Sequence, residues 1–232
     1  MTRTAPNHSV EELSEKSAAF EHAHPEEILS WAIGEFGNSI VLACSFQDCV
    51  LIDMATAIDP AIEVVFLDTG AHFPETLSFV ETVRSQFNLN LTVTSPPAAA
   101  AAWTCGTTRC CELRKVEPLR SALARKAAWI TALKRCDAPT RSAAPICSFD
   151  NQFGLVKINP LATWSDEDVE EYRIGHDLPA HPLIAKGFPS IGCAPTTRQV
   201  APGEHPRSGR FFGMEKTECG LHLPSSTAAS QS

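Results

Sequence analysis

The strongest constraint on the fold is a regular alternation of short apolar runs with helical segments between residues 39 and 133. Apolar runs of strand length occupy 39–45, 63–68, 90–95 and 128–133, and helical patterns occupy 47–58, 74–87 and 110–126. Two more helices are expected upstream, over 9–22 and from Pro25 onward. Strands that alternate with helices form right-handed βαβ units. The sequence therefore predicts an α/β fold with a parallel sheet sandwiched by helices.

Polar residues follow several of the predicted strands. Ser45-Phe46-Gln47-Asp48 follows the first strand, Asp68-Thr69-Gly70 the second, and Pro139-Thr140-Arg141 comes soon after the fourth. Ligands of parallel sheets bind at the carboxyl ends of the strands, where helix-start amides can hold phosphate. The glycines of a Walker or Rossmann loop are missing, so each motif alone also fits a simple turn. Together they indicate a nucleotide-sized site.

Charge is distributed unevenly along the chain. The net charge of −8 disfavours nucleic-acid binding. Residues 109–141 nevertheless hold nine basic residues: Arg109, Arg114, Lys115, Arg120, Arg125, Lys126, Lys134, Arg135 and Arg141. A second set is Arg198, Arg207 and Arg210. A local basic cluster in an acidic protein predicts a small anionic ligand held in a pocket.

The nine cysteines point to thiol or metal chemistry. The sequence shows no secretory signal and no apolar run of membrane-spanning length, so a cytoplasmic protein without membrane contact is expected, and a disulfide scaffold is not. Cys219 lies beside the flexible Gly220, shortly before His222. A thiolate there, favoured by cations such as Arg207 and Arg210, would be a nucleophile, and an inert tail cysteine is the alternative.

Cys110-Cys111 and Cys193 resemble an incomplete metal site. Four thiolates are the usual complement of a [4Fe–4S] cluster. Thr196 stands where a Cys-x-x-Cys motif beginning at Cys193 would have its second cysteine. Cys105 and Cys136 are candidate substitutes, although neither has the expected spacing. A cluster with an open or oxygen-ligated iron, a labile cluster and no cluster all stay open.

Several stretches together resemble the assimilatory sulfonucleotide reductases, specifically the bacterial type of adenylyl-sulfate (APS) reductase. The match runs from about residue 38 to 222. Its main stretches are Phe66-Leu67-Asp68-Thr69-Gly70, Cys110-Cys111 with Arg114-Lys115-Val116-Glu117-Pro118-Leu119, Pro139-Thr140-Arg141, Pro189-Ser190-Ile191-Gly192-Cys193, Arg207-Ser208-Gly209-Arg210 and Glu218-Cys219-Gly220-Leu221-His222.

This resemblance implies a fold like that of the adenine-nucleotide α-hydrolases, with a flexible C-terminal tail that carries Cys219. It implies reduction of adenosine 5′-phosphosulfate to sulfite and AMP through an S-sulfocysteine at Cys219. A separate thioredoxin or similar dithiol would then release the sulfite. The implied cluster ligands are Cys110, Cys111 and Cys193, and the implied substrate-binding residues are Ser45, Asp68, Lys115, Arg141, Arg207, Arg210 and His222.

Three other functions and two structural questions stay open. The alternatives are a 3′-phosphoadenylyl-sulfate (PAPS) reductase, a catalytically idle nucleotide-binding or redox-sensing relative, and an adenylating enzyme that uses ATP. The ATP-using enzyme would need a fuller phosphate loop than the one after Ser45. A single domain is expected over residues 1–223, followed by a disordered tail over 224–232. The sequence leaves a homo-oligomer open.

Overall fold

The predicted parallel sheet is present in the computed structural model, which describes residues 8–222. Its strands are β1 Ile40–Cys44, β2 Glu63–Leu67, β3 Asn90–Thr94, β4 Ala128–Thr131, β5 Cys147–Asp150 and β6 Leu155–Ile158. They are ordered β3-β2-β1-β4-β6-β5, and each neighbouring pair is parallel except β5 with β6. The first four strands confirm the alternation that the sequence predicts.

The helices also follow the predicted pattern. They are α1 Val10–Ala19, α2 Pro25–Phe36, α3 Val50–Ile58, α4 Pro74–Phe87, α5 Thr108–Cys111, α6 Glu117–Leu123 and α7 Asp166–Gly175. Helix α1 begins with the expected capping box, in which the Ser9 hydroxyl accepts from the Glu12 amide and the Glu12 carboxylate accepts from the Ser9 amide. A π-helical turn, Glu112–Val116, joins α5 to α6, and such turns are frequent at functional sites.

The strands β5 and β6 are absent from the sequence prediction. Each has four residues, and the antiparallel pair forms a hairpin at the edge of the sheet. Apolar runs this short do not stand out from loop sequence, and β6 contains the charged Lys157 within an otherwise apolar run. The hairpin matters for function because Lys157 lies against the C-terminal segment of the chain.

Both faces of the sheet are covered by helices, because strand side chains alternate in direction. Leu42 and Val64 belong to the larger core with helices α1 to α4, while Val41 and Val65 pack with α6 residues and Trp129 in a smaller one. This arrangement confirms the predicted helical sandwich. Within residues 8–222, no helix combines the length and apolar character needed to cross a bilayer.

Residues 180–222 fold over the carboxyl ends of the strands as loops, as their Pro and Gly content predicts. Short 3₁₀ turns at Ile184–Lys186 and Ala194–Thr196 interrupt these loops, and an antiparallel bridge pairs Thr197 with Arg210. The predicted disordered tail over 224–232 lies outside the described residues, as do the first residues of the predicted domain over 1–223. Both boundaries stay predictions.

Gly209 allows the loops near the bridge to approach each other closely. A Cβ at this position would overlap the backbone carbonyl oxygen of Arg198. We therefore expect Gly209→Ala to lower the free energy of unfolding by about 1–3 kcal/mol, as overpacking usually does. The matched control is Gly34→Ala, because Gly34 lies exposed in α2 with nothing near its Cβ position.

Urea denaturation of the two variants measures the difference. The control is expected to gain about 0.5–1 kcal/mol from the helix preference of alanine over glycine. Equal stability of Gly209→Ala and the wild type would show that these loops can separate without cost.

Candidate active site

A cavity of about 450 Å³ lies at the carboxyl ends of the parallel strands, where the topology predicts a ligand site. Ser45, Thr69 and Thr131, which end or follow strands β1, β2 and β4, line its floor. Residues 189–192, 205–207 and 218–222 contribute to its walls. The volume lies within the range of small-molecule sites, so a nucleotide-sized ligand fits the predicted place.

Four basic side chains from separate parts of the chain meet in this cavity. They are Lys115 in the π-helical turn, Arg141 in the 3₁₀ turn Pro139–Arg141, and Arg207 and Arg210 in the loop that follows the sheet. Burial is the main cause that lowers the pKa of Arg207 and Arg210, and a neighbouring guanidinium lowers each further. This crowding of positive charge would be relieved by a bound anion.

Glu218 supplies negative charge to this cluster from the C-terminal segment. Arg141 donates from Nε to Glu218 Oε1 and from a terminal nitrogen to Oε2, both at 2.8 Å. Arg207 donates to Glu218 Oε2 at 3.4 Å. The bidentate pair fixes the chain immediately before Cys219, because a fork of two hydrogen bonds holds orientation as well as charge.

Cys219 lines the same cavity and is only half-buried. It lies within electrostatic reach of Lys115, Arg141, Arg207 and Arg210. Burial disfavours the Lys115 ammonium, but the Cys219 and Cys193 thiolates outweigh that effect and raise the pKa of Lys115. A thiolate at Cys219 therefore lies among fixed positive charges, as a nucleophile for an anionic substrate requires.

His222 anchors the end of this segment against the sheet. Its ring stacks on Trp129 with centroids 5.9 Å apart, and Nδ1 lies 3.1 Å from Lys157 Nζ. Burial, followed by the nearby Lys157 and arginine charges, lowers the pKa of His222 well below its usual value, so the ring is neutral at pH 7. Burial likewise lowers the pKa of Lys157 to about 8.

Lys157 and Glu218 are functional candidates that sequence reasoning missed. The charge of Lys157 within the apolar run Leu155-Val156-Lys157-Ile158 was an available signal, because a lysine there must either reach solvent or meet a partner. No comparable signal marked Glu218, whose partners are distant in sequence.

The two residues predicted to hold the nucleoside differ in placement. Ser45 lines the cavity, as predicted. Asp68 does not line it; its Oδ1 accepts from the Gly70 amide 2.9 Å away, and the next residue, Thr69, reaches the cavity instead. Gln47 accepts from the Ile191 amide at 2.9 Å, which ties the later loop to the β1–α3 connection. Contact between Asp68 and a ribose stays a prediction.

The cysteines of the predicted metal site lie together beside the cavity. Cys110, Cys111 and Cys193 are buried. Lys216 donates to Cys111 Sγ at 3.1 Å, and Thr69 Oγ1 lies 3.6 Å from Cys193 Sγ. Hydrogen bonding from Cys105, the largest effect, and the charge of Lys115 lower the pKa of the Cys193 thiol although burial raises it.

The candidate fourth ligands of the predicted cluster, Cys105 and Cys136, have different surroundings. Cys105 interacts with both Cys193 and Cys110. Cys136 is exposed, and its thiol donates to the Trp164 carbonyl oxygen 3.4 Å away. The Thr196 hydroxyl donates to the Cys193 carbonyl oxygen within its own turn.

Comparison with known proteins agrees with this fold and site. Residues 39–199 match the family profile described as "Phosphoadenosine phosphosulfate reductase domain". The adenosine 5′-phosphosulfate reductase of Mycolicibacterium smegmatis is 43% identical over 230 residues, which cover 95% of this chain and 98% of that protein. The protein of that name from Mycobacterium tuberculosis is 40% identical over 238 residues, with 91% and 94% covered.

Comparison with solved structures supports the same fold. A phosphoadenylyl-sulfate reductase from Candida auris, in complex with phosphate, superposes with a TM-score of 0.74 at 25% identity over 84% of this chain and 100% of that one. An FMN adenylyltransferase from Candida glabrata shares the fold, with a TM-score of 0.60 at 14% identity over 93% of this chain and 80% of that one. The expected likeness to the adenine-nucleotide α-hydrolases is thereby confirmed. The chain belongs to the phosphoadenosine phosphosulfate reductase domain family, with relatives named adenosine 5′-phosphosulfate reductase along nearly its whole length.

Proposed function

We propose that this protein reduces adenosine 5′-phosphosulfate to sulfite and AMP in sulfate assimilation, with electrons from thioredoxin or a similar dithiol. The observation that carries the proposal is the position of Cys219 within the same cavity as Lys115, Arg141, Arg207 and Arg210. The names of relatives that are 40–44% identical support the substrate. The four cations would offset the repulsion between the Cys219 thiolate and the negatively charged oxygens around the sulfur atom of the substrate.

In the first step, the Cys219 thiolate attacks the sulfur of the phosphosulfate. A bond forms between Sγ and that sulfur, and the bond between the sulfur and the bridging oxygen breaks. The electron pair of the broken bond leaves with the phosphate of AMP. The product on the enzyme is an S-sulfocysteine at Cys219.

In the second step, a thiolate of the dithiol attacks Cys219 Sγ and sulfite leaves with the electron pair of the cleaved sulfur–sulfur bond. The second thiol of the reductant then resolves the mixed disulfide. The dithiol is oxidised to a disulfide and loses two protons, and the Cys219 thiol is restored. This step requires Cys219 to meet another protein, and its half-buried position on a terminal segment suits that requirement.

The four cations act on both ends of the breaking bond. They offset charge on the sulfonate oxygens as the thiolate approaches, and they stabilise the charge that develops on the leaving phosphate. Lys115 is suited to this role because it interacts with both Cys219 and Arg210. His222 and Lys157 hold the segment that carries Cys219 against Trp129, and Ser45 is assigned to the nucleotide.

The residues present also fit the cluster that the resemblance implies. Three buried cysteines lie near two lysine ammonium groups, because Lys216 donates to Cys111 Sγ and the charge of Lys115 lowers the pKa of the Cys193 thiol. Nearby positive charge suits an anionic iron–sulfur cluster, although burial raises the pKa of the Cys111 thiol. Cys110, Cys111 and Cys193 are the proposed ligands. When bound, a [4Fe–4S] cluster would hold these side chains as thiolates and contribute a fixed charge beside Lys115.

A PAPS reductase is the alternative within the same family, and the likeness to the Candida auris enzyme favours keeping it. The two substrates differ by one phosphate on the ribose. Sulfite release measured with each nucleotide and thioredoxin decides between them. We expect faster turnover of adenosine 5′-phosphosulfate; faster turnover of the 3′-phosphorylated substrate would reverse the assignment.

Replacement of the nucleophile tests the proposed chemistry. Cys219→Ser is expected to abolish sulfite release, because a serine hydroxyl is not ionised at neutral pH and is a far poorer nucleophile than a thiolate. The same variant is expected to bind AMP as the wild type does, since the cations remain. Sulfite release and AMP binding by calorimetry measure the two effects, and residual turnover near the wild-type rate would exclude Cys219 as the nucleophile.

Glu218 is predicted to compete with the anionic substrate for Arg141 and Arg207. Glu218→Gln should therefore bind AMP about fivefold more tightly, which corresponds to about 1 kcal/mol for one charged hydrogen-bonding partner. The matched control is Glu215→Gln, which removes the same charge from an exposed position three residues earlier. Calorimetry at constant salt compares the two.

If both variants bound AMP more tightly by the same factor, the gain would come from the lower overall negative charge and not from a specific competition between Glu218 and the substrate. Weaker binding in Glu218→Gln would show that the carboxylate organises the arginines rather than competing for them.

A further inference from the structure

A fourth cysteine joins the three that the family resemblance implies. Cys105 lies in the loop that precedes α5, and its thiol interacts with Cys193 most strongly and also with Cys110. Its two partners come from different parts of the chain, since Cys110 lies in α5 and Cys193 lies in the loop after residue 190. Cys105, Cys110 and Cys193 therefore lie in one region, and Cys111 follows Cys110 directly in α5. These four residues are called the cysteine quartet below.

The loop of Cys105 packs directly against Thr196. Gly106 has a φ of +94°, and a Cβ there would lie 2.9 Å from Thr196 Cγ2 and 2.5 Å from Met214 Cε. Only glycine allows the backbone to approach this closely in that conformation. This packing brings Cys105 close to Thr196, which occupies the second cysteine position of a Cys-x-x-Cys motif that begins at Cys193.

Thr196 itself is poorly suited to bind a metal. It is buried, and its hydroxyl donates to the Cys193 carbonyl oxygen at 3.3 Å within the same turn. A neutral hydroxyl is a weak ligand for iron beside thiolates. The side chain instead supplies a methyl group against Gly106, which supports the loop that carries Cys105.

Positive charge surrounds the cysteine quartet. Lys216 donates to Cys111 Sγ at 3.1 Å, and Lys115 interacts with both Cys193 and Cys111. Four thiolates around an iron–sulfur core carry net negative charge, which two ammonium groups offset. Cys136, the other candidate fourth ligand, is exposed and lies against the Trp164 carbonyl oxygen instead.

We infer that Cys105 replaces the missing cysteine at position 196 as the fourth ligand of a [4Fe–4S] cluster, with Cys110, Cys111 and Cys193 as the other three. The inference rests on the proposal that this protein carries such a cluster. The fourth ligand then comes from the loop ahead of α5 rather than from a Cys-x-x-Cys motif. Thr196 then has a packing role only.

A set of four variants tests the assignment by iron and acid-labile sulfide content after anaerobic purification with reductant. Cys105→Ser is expected to lose most of its iron and sulfide, or to retain a three-iron cluster visible by electron paramagnetic resonance. Thr196→Cys is expected to match the wild type, because the fourth ligand is already present. The double variant Cys105→Ser/Thr196→Cys is expected to regain iron and sulfide, and Cys136→Ser is the control that keeps them.

Recovery in the double variant also shows that loss in Cys105→Ser is not a folding defect, and thermal melts of all the variants check this directly. The inference is overturned if Cys105→Ser keeps its full iron and sulfide, if Thr196→Cys alone raises them, or if the wild type holds zinc without sulfide. A wild type free of metal also overturns it. Failure of the proposed reductase activity appears separately, as absent sulfite release from a protein with a normal iron content.

Discussion

The structure depends on the concentration of positive charge at one end of its parallel sheet. Lys115, Arg141, Arg207 and Arg210 lie in one cavity, where burial and a neighbouring guanidinium lower the pKa of Arg207 and of Arg210. Although burial opposes this, contact with Glu218 and the nearby cysteine sulfurs instead raises the pKa of Arg141 and of Lys115. Negative groups must offset this charge, and Glu218 and Cys219 come from a single short segment. Docking of that segment and binding of an anionic substrate therefore depend on the same set of positive charges.

The fold explains how this balance is built from residues that are distant in sequence. Strands β1, β2 and β4 end at the same edge, and the loops beyond residue 179 return to that edge with two of the arginines. The β5–β6 hairpin adds Lys157, which lies beside Trp129 and meets His222. A terminal segment that is held by Glu218 on one side of Cys219 and by His222 on the other leaves the thiol between two anchors.

Much of this architecture could be predicted from residue patterns, and the exceptions have physical causes. The strands β1 to β4 and the Ser9 capping box depend on local periodicity and capping chemistry, which a sequence displays directly. The β5–β6 hairpin was missed because two four-residue strands give little periodic signal. The electrostatic interaction of Cys105 with Cys193 and the pairing of Glu218 with Arg141 depend on tertiary approach, so no spacing rule could reveal them. The role of Asp68 stays a prediction, and in this structure its carboxylate accepts a hydrogen bond from the Gly70 amide of its own turn.

The most direct test of the central claim is the intact mass of the wild-type protein after incubation with adenosine 5′-phosphosulfate in the absence of reductant. We predict an increase equal to one SO₃ group, located on the peptide that contains Cys219. Addition of a dithiol should then remove the adduct and release sulfite in equal amount. An unmodified protein, or an adduct on a different cysteine, would contradict the assignment of Cys219 as the nucleophile of this cavity.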